Sequence, residues 1–252
     1  KIILNVAFCT AFITAFSIIF GKSNSLAGLA VLLSIMAFRF SDFGIQTSHA
    51  VFCAFAVFGI LAAGPKLTNI VPVGWAFLIN LICIFLLMLL GSHNVMMFNH
   101  STLVLSYLLL QGYDVSGKDY KMRLAGLLAG AVITAIILFK NHRKITYKRS
   151  LKNIFQEFNF SSTRTRWQIL LALGVSSVML IASAIGVPKA YWMGIAAMSV
   201  TMPFRNDIAE RAKFRGIGNI AGSFLFILVY LFLPESCLPY LGIIGGIGTG
   251  LS

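Results

Sequence analysis

The sequence predicts an all-α, polytopic membrane helix bundle of about ten spans, built as two parallel repeats with the second truncated. Composition is the first reason. The chain is 58% hydrophobic and only 11% charged, with mean hydropathy +0.89, whereas a soluble domain is typically about 25% charged. Continuity is the second. The apolar residues gather in unbroken runs approaching the roughly 17–25 residues that cross a bilayer as helix, not in the alternating pattern of an outer-membrane barrel. Repetition is the third. A charged corner reads Phe38-Arg39-Phe40-Ser41-Asp42 in the first half and Phe204-Arg205-Asn206-Asp207 in the second, each between two apolar runs.

In chain order the spans are expected at 2–20, 25–38, 44–63, 69–90, 95–112, 122–139, 167–186, 190–203, 215–234 and 237–252. Those at 25–38 and 190–203 are short, so each is expected to be tilted, extended by its flanks or incompletely spanning. Orientation follows from the tract 140–166. It carries Lys140, Arg143, Lys144, Lys148, Arg149, Lys152, Arg164 and Arg166 against one acid, Glu157. The bias of Lys and Arg toward the cytoplasm places this tract inside. Counting from it, 204–214 with Arg205, Arg211 and Lys213 is also inside, as are the N-terminus and the Arg39/Asp42 corner. The turns at 186–189 and Pro234-Glu235 are expected outside. So is 113–121, whose Lys118 and Lys121 face Asp114 and Asp119.

Within the basic tract, Leu151, Ile154, Phe155 and Phe158 keep helical spacing. They predict an amphipathic helix on the inner leaflet or against the bundle. The net charge is +13, but much of the basic excess flanks membrane spans. Topology and anionic lipid account for it, and nucleic acid is not an expected partner. The expected organisation is a first membrane half at 1–145, a cytoplasmic linker at 146–166 and a second half at 167–252. The opening Lys1 and the closing apolar run predict a chain trimmed at both ends, with about two further spans by symmetry with the first half.

The halves align in the same direction. Span 2–20 corresponds to 167–186, 25–38 to 190–203 and 44–63 to 215–234. The loop Gly21-Lys22-Ser23-Asn24-Ser25 corresponds to Gly186-Val187-Pro188-Lys189. A second pattern, R-x-x-G-x-x-x-G, occurs as Arg123 with Gly126 and Gly130, and as Arg215 with Gly218 and Gly222. Each Arg stands at the entry to a span, and the glycines share one helical face where backbones can approach closely. Arg123 and Arg215 are read either as snorkelling ends of packing helices or as vestibule cations that attract anions. Gly242, Gly246 and Gly250 suggest packing alone.

From Gly186 to Gly222 the order of features resembles the fusaric acid resistance protein family, related to the bacterial aromatic acid exporters. These features are Pro188, the pair Tyr191-Trp192, a short apolar span at 193–203, a charged turn from Arg205 to Lys213, and the helix opening Arg215-Gly216-Ile217-Gly218-Asn219-Ile220-Ala221-Gly222. The family usually has Gly-Thr where this chain has Gly218-Asn219. The segment Tyr107 to Gly112, followed by Asp119-Tyr120-Lys121-Met122-Arg123, resembles the end of the family's first half-bundle. The first repeat departs from the pattern by lacking the Pro and Trp. The resemblance implies secondary efflux of small organic anions, often aromatic carboxylates, across the bacterial inner membrane. Passive anion conduits also occur among relatives.

Arg39 and Arg205, with Asp42 and Asp207, are either helix-end caps or a cytoplasmic anion gate across a pseudo-twofold axis. The planar fork of Arg suits a carboxylate. Tyr191 and Trp192 are interfacial belt residues or a stacking surface for an aromatic ring. His49 and His100 lie in or beside spans. Packing explains them, and proton coupling is the alternative because imidazole titrates near neutrality. No carboxylate lies deep in a span, no catalytic cluster stands out, and no phosphate-binding loop is present. Cys9, Cys53, Cys83 and Cys237 lack metal-ligand spacing and read as packing residues. The chain is therefore expected not to be an enzyme and to need no cofactor or metal. Its expected partners are a small organic anion and membrane lipid, with a homodimer open. A membrane scaffold that recruits other proteins is the reading from a different class.

Overall fold

The apolar runs fold as helices. The computed structural model describes residues 2–40, 43–91, 99–203 and 205–232, with side chains described for 6–39, 43–91, 102–203 and 208–232. The order is α1 (Ile2–Phe20), a 3₁₀ turn (Lys22–Asn24), α2 (Ser25–Phe40), α3 (Thr47–Ile70), α4 (Val73–Gly91), α5 (Asn99–Gly112), α6 (Gly117–His142), α7 (Leu151–Gln156), α8 (Thr163–Ala184), α9 (Tyr191–Val200) and α10 (Arg205–Phe232). Each expected span from 2–20 to 215–234 overlaps one of these helices, and 237–252 lies outside the described residues. Helices α3, α4, α6, α8 and the 208–232 part of α10 are long and apolar enough to cross a membrane. The described stretches Thr102–Gly112 of α5 and Tyr191–Val200 of α9 are shorter. At about 1.5 Å per residue, the 16 residues of α2 and the 10 of α9 reach about 24 and 15 Å, against a hydrocarbon core of roughly 30 Å.

Several boundaries differ from expectation. Gly64-Pro65, read as a loop between spans, lies buried inside α3, which continues to Ile70. Three contacts hold this last stretch: the Thr68 hydroxyl donates to the Pro65 carbonyl at 2.9 Å, Lys66 Nζ to Asp114, and Asn69 Nδ2 to the Gln111 carbonyl at 2.9 Å. The expected charged turn before 215 is helical, forming the start of α10. The amphipathic stretch forms only a six-residue α7. Ile154 is buried and Phe158 meets Phe85 edge-on at 5.9 Å, while Phe155 is exposed. The stripe therefore packs on the bundle through part of its length.

The chain divides into two units, 11–203 and the set 1–10 with 204–252. In the 11–203 unit, α5 is the central helix. It packs on α2, α3, α4 and α9, and Leu103, Val104, Tyr107, Leu108 and Leu110 are buried. A helix apolar on every side belongs inside a bundle. Around it α3 packs on α4 and α6, α2 on α6, and α8 on α4 and α9. The short helices α2 and α9 thus both lie against α5.

Hydrogen bonds sort the connections of this unit into two ends. At one, Ser23 Oγ donates to Asp119 Oδ2 at 2.9 Å, Asn24 Nδ2 to the Asp119 carbonyl at 3.0 Å, and Lys66 Nζ to Asp114 Oδ2 at 2.9 Å. Tyr191 joins this end through the Tyr113 ring, centroids 5.5 Å apart. At the other, Asn141 Nδ2 donates to the Arg39 carbonyl at 3.2 Å, the Gln46 amide to the Arg149 carbonyl at 2.9 Å, Gln168 Nε2 to the Met88 carbonyl at 3.2 Å, and Trp167 Nε1 to the Thr201 carbonyl at 3.1 Å. Successive bundle helices therefore run in alternating directions between a Lys66 end and a basic end. Gly186 allows the chain to turn after α8. Its φ of 71° closes a helix end in which the Val187 amide reaches back to the Ala182 carbonyl at 2.9 Å.

Candidate functional site

At the Lys66 end of the 11–203 unit, Asn24, Thr68 and Arg123 are buried polar side chains. Arg123, near the start of α6, is 3% exposed. Its guanidinium fork joins three elements: Nε donates to Asn24 Oδ1 at 3.1 Å, Nη1 to the Leu110 carbonyl at 3.2 Å and Nη2 to the Tyr113 carbonyl at 2.7 Å. The last two carbonyls belong to the end of α5, where no further helical turn satisfies them. Planar, multidentate donation of this kind is the property that separates Arg from Lys. The glycines of the same motif seat other helices. A Cβ on Gly126 would stand 2.5 Å from Phe16 Cζ, and one on Gly130 2.5 Å from Val31 Cγ2.

Beside this knot, Lys66 donates to Asp114 and to the Val115 carbonyl at 2.8 Å, and stands 5.4 Å from the centre of the Tyr120 ring. Tyr191 is buried, and its ring fills the space where Gly112 lacks a side chain. Its neighbour Trp192 is 54% exposed, with ring centroids 5.4 Å apart.

A cavity of about 110 Å³ opens between α3, α4, α5 and α8, lined on its polar side by Thr68, Asn69, Asn80, Gln111 and Ser183. Asn80 is 3% exposed, and its Oδ1 accepts the Tyr107 hydroxyl at 2.8 Å. The buried Oε1 of Gln111 has no hydrogen-bond partner among the described residues. Sequence reasoning did not single out Asn80. The available signal was a carboxamide in the middle of the apolar run 73–91.

The remaining expected residues fall as follows. Arg39 is exposed at the basic end. His49 Nδ1 accepts the Leu151 amide at 3.4 Å, tying α3 to the start of α7. Arg215 lies on α10, in the other unit. Asp42 lies outside the described residues, as do the side chains of His100, Arg205 and Asp207. Among the described residues no group of His, Cys, Asp and Glu forms a metal site. Cys53 is buried, Cys9 and Cys83 are partly so, and Cys237 lies outside the described residues.

No curated protein and no solved structure matches the chain. Residues 176–251 match the family described as fusaric acid resistance protein-like. That stretch contains Pro188, Tyr191-Trp192, Arg205 and the Arg215-led glycine helix. Five long apolar helices among the described residues and this match together make the chain a membrane protein with a fusaric acid resistance protein-like segment at residues 176–251.

Proposed function

We propose that the protein is a secondary exporter of small organic anions, aromatic carboxylates among them, in the bacterial inner membrane. The match over 176–251 carries this reading. In this scheme the N-terminus and the 140–166 tract are cytoplasmic. Arg39 in the 11–203 unit, and Arg205 and Arg215 in the other, are each candidate anion-contacting cations, with Asp42 and Asp207 as their sequence neighbours at the repeated corner. Trp192 offers an exposed aromatic face. Arg123 and Tyr191 act from behind it, bracing the Lys66 end through the bonds and ring contact described above. His49 and His100 are the candidate proton-coupling groups. The scheme includes a duplication relating α1–α2 to α8–α9. Three observations support it: α2 and α9 run in the same direction, both pack on α5, and both follow a glycine at positive φ, Gly21 and Gly186.

The test uses the protein in liposomes loaded with hydroxybenzoate under an imposed pH gradient. Wild type should show gradient-dependent efflux that saturates with substrate. The double variant Arg39→Ala, Arg205→Ala should lose flux by at least about tenfold, the scale of one strong ionic contact, while still inserting. Conductance that does not saturate would replace the exporter with a channel. Absence of flux for every anion from folded protein would favour a scaffold.

A further inference from the structure

We propose that the groove between α3 and α6 at the basic end binds one anionic phospholipid, its acyl chain along the groove and its phosphate on Lys140 and Arg143. The groove measures about 480 Å³, roughly three times a cavity of about 150 Å³ that encloses a benzene ring. Val51 and Phe55 of α3 form one wall. Val132, Ile136 and Phe139 of α6 form the other, and Lys140 and Arg143 close its end. These α6 positions keep the i, i+4, i+7, i+8, i+11 spacing of a single helix face, so one face passes from apolar side chains to two cations.

Both helices are long and apolar enough to cross a membrane, and Phe55, Val132, Ile136 and Phe139 are exposed. The groove therefore opens toward the bilayer. From Val132 to Lys140 it rises about 12 Å at about 1.5 Å per residue, less than one leaflet's share of the roughly 30 Å hydrocarbon core. An acyl chain of that leaflet lies along the apolar walls while the cations reach the headgroup level. Charge selects among occupants. No acid among the described residues lines the groove. Glu157, the acid of the 140–166 tract, bonds Arg149 and Arg164. Among the described residues Lys140 and Arg143 make no ion pair. A short aromatic carboxylate would meet the cations and leave most of the apolar wall bare. A second copy of the chain, packed by this face about a twofold axis along the membrane normal, would set its own Lys140 and Arg143 against these. An anionic phospholipid satisfies both the walls and the cations.

This inference is independent of the export reading, because its test measures binding and not flux. The purified full chain in detergent is titrated with phosphatidylglycerol or phosphatidylcholine of identical acyl chains, and bound lipids are counted by native mass spectrometry. One phosphatidylglycerol should bind at least about tenfold more tightly than phosphatidylcholine. Lys140→Gln with Arg143→Gln should abolish that preference. Lys144→Gln with Lys148→Gln, which changes exposed cations of the same tract outside the groove, should keep it. Ile136→Trp, which fills the groove at an exposed position, should weaken both lipids. Glycerol phosphate, the same headgroup chemistry without acyl chains, should not compete. The proposal is overturned if the two lipids bind equally, or if the Lys144 and Lys148 variant loses the preference as fully as the groove variant. Displacement of the lipid by glycerol phosphate or hydroxybenzoate would also overturn it. A dimer that persists without lipid and dissociates in Ile136→Trp would assign the groove to a second copy instead.

Discussion

The two ends of the 11–203 unit use polar side chains in different ways. At the Lys66 end, two cations, Arg123 and Lys66, turn inward. Arg123 bonds the 3₁₀ turn to the end of α5, and Lys66 holds Asp114 and the Val115 carbonyl. At the basic end, many bonds run from side chains or amides to single carbonyls, and the tract 140–166 carries its charge excess on largely exposed positions. One ion cluster does form there, with Arg149 and Arg164 on Glu157. The difference is between cations that fix helix ends in place and cations that face the membrane surface. Removing the first kind orphans a buried carbonyl, that of Leu110, whereas Arg166 in the basic tract holds only the exposed Phe160 carbonyl.

Arg123→Leu should break that contrast most severely. It strips the donors from two carbonyls and from Asn24 at once, and a loss of about 3 kcal/mol or more in thermal or denaturant unfolding is expected. Arg123→Lys should recover only part, because one ammonium cannot reproduce the fork. A fall as small as that of a surface substitution would contradict the bracing role. Next in size is Gly112→Leu, which drives a side chain into the Tyr191 ring. Overpacking of this kind costs about 1–3 kcal/mol, and the variant should also perturb Tyr113 fluorescence. Lys66→Met should cost about 1 kcal/mol, since the pair is half-buried and also serves a carbonyl. Arg149→Met, at the basic end, should cost about 0.5 kcal/mol and lose even that in high salt. Equal effects of the last two variants would erase the distinction between the ends.

Much of the bundle was legible in the sequence, because an apolar run of sufficient length in a chain this poor in charge becomes a helix. The first expected span, 2–20, coincides with α1. Boundaries were less legible where a local signal pointed the wrong way. Gly64-Pro65 reads as a turn, yet tertiary contacts at Thr68, Lys66 and Asn69 carry α3 past it. Gly64 also lets the Tyr107 ring approach, since a Cβ there would lie 2.7 Å from it. The R-x-x-G-x-x-x-G pattern drew attention to Arg123, Gly126 and Gly130 but read the Arg as a snorkelling end or an anion vestibule, whereas its side chain is 3% exposed. It did not reveal that the guanidinium meets Asn24 and the end of α5, since those partners converge only through the fold. The polar cavity was hidden for the same reason. Asn80 and Gln111 stand on different helices, and nothing local joins them.

The most direct test of the account asks whether the two ends lie on opposite faces of the membrane. In a background with the native cysteines replaced, Lys118→Cys and Lys144→Cys would be exposed separately to a membrane-impermeant maleimide in intact cells. The account predicts that Lys118→Cys is labelled from outside and that Lys144→Cys is labelled only after permeabilisation. Labelling of both positions in intact cells, or of neither, would contradict it.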